Sequence, residues 1–318
     1  MEVREHHGDG PGRALAVGLV LTLGFAGLEV LVGAMSGSLA LVADAGHMLV
    51  DSAGLVLALA ATLISRKPAD LRRTYGYVRV EVLVVPLHVF LMLGIAVFIV
   101  YEAVGRIGGD PEIDGLPVLV VGLAGLAVNL VTFRMLHGHG HTNLNARGAT
   151  LEVAADALGS VGVIVSATIL LVTGWSGADV VIGLAIGALV VPRAVSLLRH
   201  ALSILLESAP RGTDIAAIQR DARAVPGVNA LHDLHVWSLA PSFAALSAHV
   251  ELDTMEGCER KIAALAALLL KDHGIGHVTL QPETGQLHEE IACCLYPDAP
   301  VEAGHNHEPR AGRFTDGA

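Results

Sequence analysis

The sequence predicts an α-helical membrane protein of six transmembrane helices, followed by a small α+β domain. Three observations carry this. Hydrophobic residues make up 53% of the chain and charged residues only 16%, with a mean hydropathy of +0.60; soluble domains hold about 25% charged residues. The deficit is confined to the part before about residue 208, where several apolar runs are long enough to cross a bilayer. After it, the apolar pattern shifts to short amphipathic helices and alternating strands.

Residues 1–13 are polar and Gly-rich, contain His6 and His7, and read as a disordered arm. The first span covers about 14–34 and holds one acid, Glu29. This run is too long for the apolar region of a cleaved signal peptide, and more such runs follow, so no such peptide is expected. A Ser36-Gly37-Ser38 turn leads into the second span, about 39–65, and a polar loop fills 66–79. The third span covers about 80–104 and stops at Gly108, Gly109, Asp110 and Pro111. The fourth covers about 116–136, and a loop with His137, His139 and His141 follows it. The fifth and sixth cover about 149–173 and 178–198.

The cations set the orientation. Arg66, Lys67, Arg72, Arg73 and Arg79 flank the second-to-third loop, Arg134 and Arg147 flank the histidine loop, and Arg199 and Arg211 follow the sixth span. The opposite side has only Arg106, among Asp110, Glu112 and Asp114. Positive charge collects on the cytoplasmic side, so both termini and the histidine loop are expected there, in a multi-pass cell membrane.

The soluble part, 209–286, reads as helix, strand, strand, helix, strand. Ile215, Ile218 and Ala222 form the stripe of a helix that Pro226-Gly227 stops. Strands over 228–239 and 243–253 turn at Ala240-Pro241-Ser242. Ile262, Leu265 and Leu269 stripe a second helix ending near Gly274, and 277–283 is a third strand. The polar tail, 287–318, is expected to be flexible. A net charge of −11 excludes a general nucleic-acid surface. Cys258, Cys293 and Cys294 form an odd set that suggests reduced thiols.

The chemistry lies in the second and fifth spans. Asp44, His47 and Asp51 follow i, i+3, i+7 and share one helical face. Glu152 and Asp156 are one turn apart on the fifth span, and Ser160 continues that face. Ionisable groups at membrane depth mark a pathway or a partner. His47, Asp51, Glu152 and Asp156 together offer four donors for one divalent ion of borderline character, zinc foremost. No Lys or Arg interrupts either span at this depth, so ion pairing as the alternative has no partner there. Asp44 fits either an entry role beside the site or a structural, cap-like one, and Glu29 and Asn129 fit interhelical hydrogen bonds.

In the soluble part His232, His249, His277 and Glu283 are candidate ligands for a structural or regulatory metal. Strand parity places His277 with Glu283 and sets His249 opposite its apolar neighbours, but it groups His232 with Leu234 and Val236 and favours His235 as a rival. The His137, His139, His141 loop is either a metal collector or a solvated loop, and His305 and His307 in the tail weigh less.

Several runs resemble the cation diffusion facilitator family of divalent-metal/proton antiporters. They are SLALVADAGHMLVD at 38–51, TYGYVRVE at 74–81, DALGSVG at 156–162, HDLHVWSL at 232–239, SAHV at 247–250 and HVTLQ at 277–281, in the family's order. The resemblance, which covers about 14–285, implies a ferredoxin-like cytoplasmic domain that pairs in a homodimer. It also implies a transport site between the second and fifth helices, with export of zinc, cadmium, iron, cobalt or manganese against protons. His47, Asp51 and Asp156 match the family's ligand positions, whereas Glu152 stands where zinc-type relatives usually have histidine. A harder oxygen there favours manganese, iron or cobalt, or Glu152 only titrates. Two rivals remain: an intramembrane metal-dependent hydrolase, which lacks a His-Glu-x-x-His signature, and a membrane-anchored metal sensor, for which mid-span acids have no use.

Overall fold

The computed structural model describes residues 10–109, 111–137 and 144–285, with the side chains of 10–19, 135–137, 144–149, 151 and 152 outside that description. The chain divides into two compact units, Met1–Ala201 and Leu202–Ala318. The first is built from six helices: α1 (Gly10–Ser36), α2 (Leu39–Ser65), α3 (Val80–Arg106), α4 (Gly115–His137), α5 (Leu144–Thr173) and α6 (Gly177–Leu205). Among the described residues five helical segments, from α2 onward, are long and apolar enough to span a membrane, and Val20–Ser36 of α1 is a shorter apolar segment. A helix of 27 residues such as α2 reaches about 40 Å at about 1.5 Å per residue, enough for the hydrocarbon core. Exposed Leu55, Val56, Leu59, Phe90 and Val97 give the unit an apolar outer surface suited to lipid.

Helix α2 agrees with the sequence reading to the residue, because the Ser36-Gly37-Ser38 turn and Arg66 mark its ends chemically. Helix α6 runs seven residues past the expected 178–198 span, to Leu205. Arg199 and His200 end the apolar run, and a helix continues through such side chains once it leaves the bilayer core. Between α2 and α3 the carboxyl of Asp70 is held below its usual range by the backbone N–H of Arg73, then by that of Arg72.

The start of α2 is fastened from a distance. Ser38 Oγ accepts from the Leu41 N–H as the N-cap. Asp179 of α6 takes the Ser38 hydroxyl at 2.5 Å, the Leu39 N–H at 2.5 Å and the Ala40 N–H at 3.3 Å. A buried carboxylate thus satisfies the positive end of the α2 dipole. Small residues let neighbours close on α2: a Cβ at Gly46 would stand 2.6 Å from Ile95 of α3, and one at Gly183 of α6 would stand 3.0 Å from Leu39. Leu39, Ala40, Leu41 and Ala43 are fully enclosed and share a core with Ile99, Val118, Val163 and Ile186.

The second unit contains α7 (Ile215–Arg223), β1 (Val228–Ala240), β2 (Phe243–Leu252), α8 (Cys258–His273) and β3 (His277–Glu283). The sheet order is β1-β2-β3, with β1 antiparallel to β2 and β3 parallel to it. Helix α8 makes the crossover that a parallel pair requires. The five elements match the expected order, with boundaries shifted by a residue or two.

Ile218 and Ala222 of α7 join Leu231, Leu246, Val250, Leu265 and Leu269 in one core. Leu265 is wholly buried, so Leu265→Ala is expected to destabilise this unit by about 2–5 kcal/mol. Differential scanning calorimetry of the full chain checks this, because the unit's thermal transition should fall while that of the helical unit stays.

Candidate metal centre

Helices α2 and α5 bring His47, Asp51 and Asp156 to one point. His47 Nε2 lies 3.5 Å from Asp51 Oδ2 and 3.5 Å from Asp156 Oδ1, and one ligand atom from each residue lies within 4.8 Å of the others. Donors about 2.1 Å from a tetrahedral ion sit about 3.4 Å apart, so these gaps suit a single cation between the three. All three side chains are largely enclosed, at 15%, 8% and 7% exposure. Among the described residues Asp156 Oδ1, one of the converging donors, is buried without a hydrogen-bond partner, a condition that binding an ion would relieve. Glu152 lies one turn before Asp156 on α5, and its side chain lies outside the described residues.

Two neighbours were not foreseen. Arg193 of α6 donates to Asp51 Oδ2 at 2.8 Å, which corrects the expectation that these carboxylates have no cationic partner. That expectation weighed only the two spans carrying the acids, and the third helix supplies the charge. His88 of α3 places Nε2 3.9 Å from Asp51 Oδ1. It fits there because Gly54, three residues after Asp51, has no side chain; a Cβ would collide with the imidazole. A lone Arg and a lone His inside apolar runs were the available signals.

Asp44 stays off this point. It sits one turn toward the start of α2, wholly buried, and accepts from Ser160 Oγ at 3.4 Å. Asn129 of α4 donates to Ser160 Oγ at 3.2 Å, an interhelical bond of the expected kind. Glu29 Oε2 is buried with no such bond.

In the second unit His232, His249 and Glu283 converge. Glu283 is completely enclosed, with Oε1 2.5 Å from His232 Nε2 and Oε2 3.0 Å from His249 Nδ1. Asp233 Oδ2 stands 3.9 Å from His249 Nε2. Strand parity set His232 apart from His249, and a β-bulge reverses that. His232 pairs with His249 but His235 pairs with Ser247, so β1 spends three residues against two. Asp233 takes φ +46 in the bulge, which turns His232 to the cluster while Leu234 and Val236 enter the core. His235 is left exposed beside Asp233.

His277 does not join the cluster. It pairs with Ala245 at the opposite end of β3 from Glu283, about 20 Å away at about 3.3 Å per residue, and its ring meets Phe243 edge-on at 5.8 Å. Shared parity put the two on one face without measuring how far apart they lie. His6, His7, His139, His141, Cys293, Cys294, His305, His307 and the side chain of His137 lie outside the described residues.

The profile for the cation efflux transmembrane domain matches residues 15–206, and that for the cation efflux protein cytoplasmic domain matches 210–285. The chain belongs to the cation efflux family. This cation efflux protein is 41% identical over 303 residues to the metal cation efflux system protein CzcD of Cupriavidus metallidurans, covering 94% of this chain and 96% of that one. It is 35% identical to the zinc transporter ZitB of Escherichia coli, covering 94% and 95%. It is 33% identical to the cadmium, cobalt and zinc/H(+)-K(+) antiporter of Bacillus subtilis, covering 95% and 99%. Among solved structures, the metal-bound C-terminal domain of the CzcD transporter from Cupriavidus metallidurans matches at 38% identity and a TM-score of 0.21, covering 22% of this chain and 99% of that domain. The cation efflux protein is therefore a multi-pass membrane transporter of divalent metal cations, not an enzyme.

Proposed function

We infer that this cation efflux protein exports zinc from the cytoplasm in exchange for protons, and that the ion binds His47, Asp51 and Asp156, with Glu152 as the fourth ligand. The observation that carries this is the convergence of three donors from two helices inside the apolar unit. The names of the relatives, which include zinc, cadmium and cobalt transporters, support the choice of metals. Residues 14–208 form the transport domain and 209–286 a cytoplasmic domain that joins two chains in a homodimer, with both termini in the cytoplasm. His232, His249 and Glu283 hold a second metal there, zinc again, in a structural or regulatory role.

The mechanism follows from charge. Without metal, Arg193 neutralises Asp51 in a setting where a lone carboxylate is costly. An arriving dication takes over that role, and the guanidinium leaves Oδ2. Metal binds the deprotonated form of His47 and the acids, so protons arriving from the far side expel it. The proton-loaded carrier then returns by alternating access and releases its protons to the cytoplasm, so the proton gradient drives the cycle.

Glu152 is the position to test. Glu152→His replaces a hard oxygen with a nitrogen, so uptake into proteoliposomes should shift toward zinc and away from manganese by about tenfold. Measured with zinc, cadmium, cobalt, iron and manganese in competition, an unchanged ranking would remove Glu152 from the ligand set.

A further inference from the structure

A second polar tier lies one helical turn from the metal site, toward the turn between α1 and α2. It is made of Glu29 of α1, Asp44 of α2, Asn129 of α4 and Ser160 of α5. Asp44 precedes His47 by three residues, and Ser160 follows Asp156 by four, so both helices carry the tier directly above the site. Asp44 is 0% exposed and Glu29 1%. Asn129 Nδ2 donates to Ser160 Oγ, and Ser160 Oγ donates to Asp44 Oδ2. Asp44 Oδ1 and Glu29 Oε2 are buried with no hydrogen-bond partner among the described residues.

We propose that Glu29 and Asp44 form a proton-binding site separate from the metal ligands, and that it carries an exchanged proton. This rests on the proton-exchange reading above. A buried carboxylate without a partner needs neutralisation, by a cation or by a proton. The packing leaves little space for a metal with its shell of ligands. A Cβ on Gly159 would collide with Asp44 Oδ1, and one on Gly125 would stand 3.2 Å from Glu29 Oε1 and 2.7 Å from Phe25. A proton needs no such shell, and on Asp44 Oδ1 or Glu29 Oε2 it removes the buried charge that the single hydrogen bond from Ser160 leaves uncompensated.

The titratable neighbours make the tier sensitive to the site below. Asp156 of α5 acts through space on both carboxyls, and His47 of α2 acts on Asp44; α4 contributes the neutral Asn129. A dication at His47, Asp51 and Asp156 raises the local positive charge one turn away, where low dielectric keeps the interaction strong. The tier then gives up its proton to the cytoplasmic side, from which the metal entered. By linkage, protonating the tier weakens metal binding by the same factor. Metal and proton exclude each other without sharing ligands.

The test uses the purified full chain with zinc as the probe. Protons released per zinc come from calorimetry in buffers of different ionisation enthalpy, and zinc affinity is followed against pH. Glu29→Gln together with Asp44→Asn should keep one zinc at the transport site, with an affinity close to that of wild type at low pH. Protons released per zinc should fall by about one, and the rise of affinity with pH should flatten by about tenfold per pH unit. Should the double variant fail to fold, Glu29→Gln and Asp44→Asn singly carry the test, and at least one must lower proton release. Unchanged release and an unchanged pH slope would overturn the proposal, as would loss of a bound zinc, which would make the tier a metal site. Wild type that binds zinc with no proton release would overturn the exchange reading itself, a different result from a variant matching a proton-releasing wild type.

Discussion

Asp51→Asn is expected to abolish metal transport, lowering zinc uptake by more than about 100-fold. Asp51 is the hub of the site: His47 stands 3.5 Å from one oxygen, Arg193 2.8 Å from the same oxygen, and His88 3.9 Å from the other. The amide keeps the volume and can still accept from Arg193, but it offers metal no charge. Two effects then add. One of the two described anionic ligands is gone, and Arg193 retains a positive charge that opposes a dication. Asp51→Ala should lose uptake equally and also destabilise the helical unit, because it leaves the guanidinium without this carboxylate. Uptake measured beside a thermal-stability scan separates the effects, and wild-type uptake by Asp51→Asn would remove Asp51 from the ligands.

Glu283→Gln should lower metal affinity in the C-terminal domain by about 100-fold or more. Its carboxylate bridges both imidazoles from a wholly enclosed position, so no water-exposed acid can replace it. Bound metal stabilises the wild-type domain by about 2.7 kcal/mol at a concentration 100 times its Kd, and the variant should lose most of that gain. His277→Ala, at the far end of β3, should bind metal as wild type does. Equilibrium dialysis of both variants decides the matter. Equal stoichiometry in Glu283→Gln, or loss in His277→Ala, would contradict the assignment of ligands.

Much of this was legible because the signals are local. Span α2 could be read to its ends from a capping serine, a run of apolar residues and a closing arginine. His47, Asp51 and Asp156 stand out because acids and imidazoles are rare inside apolar runs. What escaped depends on distance through the fold. Arg193 and His88 reach Asp51 from α6 and α3, and no spacing rule links them to it. His232 was misplaced because parity assumes an unbroken pleat, and one extra residue at Asp233 reverses every side chain before it. Conversely His277 and Glu283 share a face yet sit at opposite ends of one strand. Glu29 read as an interhelical hydrogen bonder, but the bond formed is Asn129 with Ser160, and Glu29 Oε2 has none.

Zinc uptake into proteoliposomes with an acidic lumen tests the central claim most directly. The account predicts that zinc accumulates, that the lumen turns alkaline as it does, and that a protonophore stops both. Tight zinc binding with no uptake, or uptake that ignores the pH gradient, would contradict it.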